Sequence, residues 1–322
     1  MARCVEVTFE NDLAEWLTSR DNPLTARTEV NRLWAQFFGT GISATVDDLG
    51  TRGDYPSCPE LLDWLAVEFM ESGWNVKHIV RLIVTSAAYR QSSKGRPELD
   101  QLDPADRWLV RQTPRRLDAE FVRDNALYAA GLLRLDLGGP SVYPYQPEGY
   151  YAQLLFPARE YVANADDRQY RRGLYVHWQR TFLHPMLANF DAPSREECTA
   201  YRTLSSTPQQ ALTLLNDPTF IEAARGLAEK TLGERPDGDF TRRLDDAYLR
   251  LLARPARPQE QKSLSRYFDQ QLEYYRTHEA DAAKLLSIGL HPAPAGADRA
   301  QLAAWTAVAR VMLNLNETIV RY

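Results

Sequence analysis

Proline and glycine divide this chain into short blocks, and within most of them the apolar residues recur every three or four positions. That spacing collects them on one face of an α-helix, which is stable only when buried against a neighbour. Asn22-Pro23 precedes Val30, Leu33, Trp34 and Phe37, and Gly39 supplies the stop. An amide cap, a proline at the first helical position and a closing glycine are ordinary helix punctuation. Ser57 and Glu60 fit a capping box ahead of Leu61, Leu62, Trp64, Leu65 and Phe69, and Gly73 ends that block. Asn75 opens a helix whose buried stripe is Val76, Ile79, Val80 and Ile83. Thr113-Pro114 is expected to start another, carrying Leu117, Phe121, Leu127 and Leu132 up to Gly138-Gly139. Further helices are expected over Pro208–Leu215, Pro218–Leu232 behind Asn216-Asp217, Phe240–Leu252, Gln259–Tyr275 and Asp298–Leu315. His291–Ala297 reads as a Pro/Ala/Gly linker.

Residues 138–185 break the pattern. Glycine and proline recur, no helical period is sustained, and seven of the sixteen tyrosines fall between Tyr143 and Tyr175. Leu174–Trp178 is expected to form a short strand. A long non-helical stretch in a compact protein is often functional, and aromatic rings with outward hydroxyls suit flat, hydroxylated ligands such as sugars. The plainer reading packs those tyrosines onto the helices. The expected fold is therefore mainly α, with multi-helix orthogonal or bundle-like packing, an irregular aromatic-rich middle and at most a short β-hairpin. Its parts are a helical 1–137, an irregular 138–185 and a helical 186–322, forming one domain or two.

Composition removes several function classes. The net charge of −5 leaves no basic footprint, so nucleic-acid binding is not expected. No apolar run approaches the ~18 residues that a membrane span needs. Cys4, Cys58 and Cys198 are scattered and form no Cys-x-x-Cys pair, which argues against a disulfide framework or a zinc site. No Cys-x-x-Cys-His exists, so haem attachment within the chain is not expected. His177 and His184 match no standard ligand spacing. Walker, Gly-x-Ser-x-Gly and His-Glu-x-x-His motifs are missing too. The N-terminus lacks the apolar stretch of a secretory signal.

Two groups of polar residues stand out. Asp191, Arg195 and Glu196, with Arg202 nearby, concentrate charge beside a Ser194-to-Glu197 pattern that a capping box would explain. The alternative is an anionic ligand held by the arginine forks, or paired carboxylate chemistry. Arg27 and Asn31 share a helical flank with Trp34, and Asn31 interrupts an apolar face, so it needs a partner if buried. It either ties a neighbouring loop or floors a polar cleft reached by Arg27 or Arg32. Asn216, beside Asp217, completes the candidate ligand-binding residues.

Residues 190–225 closely resemble the signature block of the DUF1553 (PSD1) family. The resemblance extends from about Leu13 to Tyr322 through Asp21-Asn-Pro-Leu-Thr-Ala-Arg27, Val30-Asn-Arg-Leu-Trp34, Pro59-Glu-Leu-Leu-Asp-Trp64, Arg81-Leu-Ile-Val-Thr-Ser86, Tyr89-Arg-Gln-Ser-Ser93, Gly138-Gly-Pro-Ser141 and Leu313-Asn-Leu-Asn-Glu317. The family has no assigned function. What the resemblance implies is an exported, cell-envelope protein of planctomycetes or related bacteria, working with DUF1549 and cytochrome c domains. Haem c would then sit on a separate domain or partner. The chain looks like the C-terminal module of such a protein, which would account for the missing signal. Cys58 and Val80 stand where relatives tend to carry histidine, which lowers the expectation of histidine-based chemistry. The resemblance implies an accessory or binding module, with polysaccharide as its candidate ligand; the alternative is an enzyme, hydrolase-type or redox, acting on glycan through a carboxylate/Arg site.

Overall fold

A computed structural model describes residues 9–153, 160–180 and 182–321. The backbone forms two compact units, one up to Arg115 and one from Arg116 to Arg321. The division falls well before the composition change near residue 137. The helix expected from Thr113, placed with the N-terminal part, belongs to the second unit because it packs on later helices.

The first unit contains α1 (Phe9–Thr18), α2 (Thr25–Phe38), α3 (Pro59–Glu71), α4 (Val76–Thr85) and α5 (Pro97–Leu102). Its core joins the apolar faces of α2, α3 and α4: Val30, Leu33, Trp34, Leu62, Leu65, Phe69, Ile79 and Ile83. Gly39 ends α2 as expected, and Asn75 caps α4 by accepting the His78 N–H. Two starts differ from the sequence reading. Asn22 Oδ1 accepts from the amides of Leu24 (2.9 Å) and Thr25 (3.2 Å), so it closes a turn and α2 begins two residues later than the Asn-Pro signal suggests. Ser57 forms no capping box, because its hydroxyl donates to the Ile42 carbonyl (3.2 Å) and α3 starts after Cys58. Within the α4 stripe Ile79 and Ile83 are buried, while Val76 in the first turn is exposed.

The second unit contains α6 (Ala119–Ala130), α7 (Pro185–Asn189), α8 (Pro208–Asn216), α9 (Pro218–Glu234), α10 (Phe240–Leu252), α11 (Pro258–Thr277), α12 (Glu279–Leu286), α13 (Arg299–Leu313) and α14 (Asn316–Ile319). Helix α9 packs on both α6 and α13. Its buried Ala223, Ala224 and Ala228, with Ala303, Ala304 and Ala307 of α13, keep those faces small and the helices close. One core gathers Val122, Leu127, Leu187, Phe190, Phe220 and Leu227; a second surrounds Trp305 with Tyr248, Phe268 and Leu302. The expected helix from Thr113 to Gly138 is shorter at both ends. Arg115–Arg116 is extended as β1, the Leu117 amide donates to the Ile319 carbonyl (2.7 Å), and Gly131 ends α6. The one sheet among the described residues has two strands of two residues, β1 and β2 (Val320–Arg321).

The irregular middle carries three single 3-10 turns and isolated bridges at Arg134–Arg171 and Val142–Val176. Leu174–Trp178 is no strand: Gly173–Tyr175 turns, and only Val176 makes a bridge. Buried backbone that lacks a ladder must find other partners, and side chains supply them. Arg123, fully buried on α6, donates to the carbonyls of Arg171 (2.6 Å) and Gln169. Arg171 in turn donates to the carbonyls of Asp136, Gly138 and Pro140 while stacking 4.0 Å over the Tyr175 ring. Gln169 reaches the carbonyls of Tyr143 (3.1 Å) and Asn164 (2.7 Å). Asp124 accepts the Gly173 amide (2.6 Å). No helix among the described residues is long and apolar enough to cross a membrane.

Candidate functional site

The candidate residues divide between the units. In the first, the Arg27 guanidinium donates to Asp63 (2.6 Å), a hydrogen bond that lowers the Asp63 carboxyl, and also donates to the Pro23 carbonyl (2.6 Å). Asn31 is buried and clamps a loop: its amide nitrogen donates to the Ser43 carbonyl (2.9 Å), and its oxygen accepts the Ser43 N–H (3.0 Å). Gly41 is forced by that clamp, since a Cβ there would meet the Asn31 amide at 2.7 Å. Arg32 is exposed on the rim of an apolar cleft with Trp16, Leu24 and Trp74.

In the second unit the charged block around residue 195 resolves into separate structural ties. Asp191 pairs with Arg116 (2.5 Å) and accepts both the amide and the hydroxyl of Ser205 (each 2.8 Å). Arg195 lies 3.8 Å over the Trp178 ring. Arg202 forks onto Glu120 at 2.6 and 3.0 Å. Glu196 is exposed, with its amide donating to Ser194 Oγ (3.3 Å). No helix forms at Ser194, because Arg195 adopts a positive φ of 61° that ends any helical turn there. Asn216 has a different setting.

Asn216 closes α8 and lines a cleft of about 560 Å³, a size that suits a small-molecule ligand. The walls come from three sources: Tyr145, Gln146 and Pro147 of the irregular middle, the start of α7, and the α8–α9 junction with Thr213 and Asp217. Each part is fixed from behind. His184, the residue before α7, is buried, and its Nε2 lies 2.8 Å from the Tyr145 carbonyl. Burial pushes its imidazole down to about 4, although the carbonyl bond opposes this, so at neutral pH the ring is uncharged and Nε2 carries the donated proton. The Tyr145 hydroxyl donates to Glu222 on α9 (3.1 Å), which also accepts from the Tyr170 hydroxyl (2.8 Å) and the His291 amide (2.6 Å). Burial and the Glu222 charge hold the Tyr145 phenol well above its ordinary range, keeping it a neutral donor. Arg225, one turn along α9, secures the loop carrying His291 through the carbonyls of Leu286, Ile288 and His291.

The lining itself is amide-rich. Asn189 donates to Thr213 Oγ1 (2.8 Å), and Asn216 donates to the Leu212 carbonyl (2.9 Å), which commits one end of each amide. Gln146 differs: its amide nitrogen and oxygen are both shielded from solvent, and neither has a hydrogen-bond partner. An amide left in that state costs about 1–3 kcal/mol per unmet group, so a turn of the side chain out of the cleft wall toward a polar ligand would relieve it. Asp217 is the one ionisable carboxylate of the lining. Burial raises its carboxyl while the Thr219 amide it caps (2.8 Å) pulls the other way. The lining includes neither lysine nor arginine. Chemically the cleft presents amide and hydroxyl hydrogen-bonding side chains, one carboxylate and no cation.

Of the residues singled out in the sequence, Asn216 lines this cleft, and Asp217 and His184 are named there in other roles. Sequence reasoning missed Gln146, which sits in no periodic pattern and gains meaning only when its neighbours fail to bond it. Among the described residues no group of three or more His, Cys, Asp or Glu could hold a metal ion. Cys58 and Cys198 are free and exposed, and Cys4 lies outside the described residues.

A mainly helical scaffold with an amide-lined cleft thus defines the class of protein. The family model for PSD1, a protein of unknown function (DUF1553), matches residues 10–268, and the chain belongs to that family. Neither the curated proteins nor the solved structures yield a match.

Proposed function

We propose that this chain is a binding module whose second unit takes a neutral oligosaccharide in the cleft between Gln146 and Asn216. The observation that carries this is the buried, unpartnered Gln146 amide in the wall of a cleft whose other polar lining is Tyr145, Asn189, Gln209, Thr213, Asn216 and Asp217. Sugars present adjacent hydroxyls that both donate and accept, which a primary amide matches with its two ends. The absence of a cation from the lining favours neutral over sulfated or uronic sugars. Hydrolysis by paired carboxylates is less well supported, since Asp217 is the lone carboxylate of the lining and already caps α9. Consistent with the family resemblance, the module would act outside the cytoplasm beside DUF1549 and cytochrome c domains, holding them to a polymer.

Calorimetric titration with cello-, xylo- and chito-oligosaccharides tests the reading. At least one neutral series is expected to bind, with Gln146→Leu and Asn216→Ala each weakening it by about tenfold, or ~1.4 kcal/mol. Lack of binding by every series at millimolar concentration, or affinity unchanged in Gln146→Leu, would overturn it.

A further inference from the structure

The first unit holds a second cavity, of about 410 Å³, unrelated to the oligosaccharide cleft. Its floor is aromatic and aliphatic: Trp34, Phe38 and Ile42 are buried, with Leu61 and Leu109 beside them. One wall is the loop that Asn31 clamps through Ser43, so Gly41 and Ile42 are held in place by the polar side chain of an otherwise apolar helix face.

The opposite wall is a loop built at some cost. Asp103 accepts the amides of Arg107 (3.0 Å) and Trp108 (2.8 Å). Asp106 accepts the Arg111 amide (3.3 Å) and the Thr113 hydroxyl (2.5 Å). Asp106 and Leu109 both adopt φ of 52°, a left-handed conformation that side chains disfavour and that tends to persist where something over-determines it. The outcome of this construction is to present Trp108, 69% exposed, against an apolar cavity, with Arg107 next to it. Nothing in the fold is stabilised by exposing an indole. The Arg107 guanidinium enters no ion pair among the described residues, whereas the Asp106 carboxylate is already spent on its own loop.

We infer that this cavity binds a planar aromatic anion, its rings between Trp108 and the Trp34–Phe38 floor and its acidic group toward Arg107. Ring stacking against indole supplies affinity, and the guanidinium selects a carboxylate or sulfonate edge. The cavity volume limits the ligand to a few rings. Cys58 also lines the cavity and is an exposed free thiol, so it reports occupancy without being part of the recognition.

Two fluorescent probes test this on the whole chain: anilinonaphthalene sulfonate, and phenylnaphthylamine, which has similar rings and no charge. The sulfonate is expected to bind one-to-one and, when saturating, to slow alkylation of Cys58 by about fivefold or more, read by mass spectrometry of the Cys58 peptide. Arg107→Gln should weaken the sulfonate by about fivefold and leave the neutral probe within about twofold. Trp108→Ala should weaken both probes. Both side chains are exposed, so cooperative unfolding at an unchanged temperature is expected and excludes binding to a loosened fold. Cys58 alkylation unaffected by probe, or binding unaffected by Trp108→Ala, would place the probe elsewhere and overturn the inference. Equal loss of both probes in Arg107→Gln would overturn the requirement for an anion. None of these readouts depends on sugar binding, so the two proposals stand or fall separately.

Discussion

Within the second unit, two regions are held together by different physics. The α9–α13 body relies on apolar contact, with alanines keeping helices close and Trp305 packed against both Phe240 and Phe268. The irregular middle has few buried aliphatics and is pinned by polar side chains that reach backbone carbonyls, chiefly Arg123, Arg171, Gln169 and His184. Helices satisfy their own backbone and ask only for a greasy neighbour. A chain without ladders has to borrow its hydrogen bonds, and a buried guanidinium with five donors is an efficient lender. The cleft lies along the seam of these two regions, with Gln146 from one and Asp217 from the other.

The contrast can be broken most strongly from the helical side. Trp305→Ala removes a fully buried indole and should cost about 3–5 kcal/mol, measured by denaturant unfolding as a loss spread over the whole unit. Loss confined to residues 134–184 would contradict the role assigned to that core. Arg123→Leu keeps the apolar stem but strands the Gln169 and Arg171 carbonyls, for a cost of roughly 3 kcal/mol. Here amide exchange should accelerate in residues 134–177 well before α13 is affected, and uniform acceleration would dissolve the distinction between the regions.

The smallest expected effect sharpens the comparison through pH. The His184 imidazole is depressed in the folded chain relative to an unfolded value near 6.5, so its contribution is fully present above ~6.5 and is lost as pH falls toward about 4. Between pH 7.5 and 5 the wild type should lose roughly 2 kcal/mol more than His184→Gln, which cannot charge. Parallel pH profiles for the two proteins would show that the ring is not held neutral.

Much of the helical body was legible in the sequence because its signals are local. Phe240–Leu252 coincides with α10, and the expected ends of the helices after residue 208 lie within about two residues of α8, α9, α11 and α13. Helices of four to eight residues such as α5, α7, α12 and α14 were not legible, since one or two turns carry too little periodicity. Asn31 was recognisable as a buried polar residue needing a partner, and its partner is the Ser43 backbone. The candidate cleft was mostly invisible. Gln146 and Asn216 lie seventy residues apart, and the ties that aim the middle segment, such as Arg123 to Arg171, span 48 positions with no pattern to mark them. The charges at 191–202 are adjacent in sequence, but Asp191, Arg195 and Arg202 each find a different partner in space and Glu196 stays exposed.

Helix α9 begins at the cleft with Asp217 as its cap, and five residues later its Glu222 braces Tyr145 from behind. A rod shared in this way makes the aperture a property of the whole body. A tilt of α9 that widened the cleft would have to disturb its packing on α13, where buried alanines keep the two helices close. If the cleft takes a ligand as proposed, tolerance of a branched or bulky one would then depend in part on packing on the far side of the helix, remote from the residues that touch it.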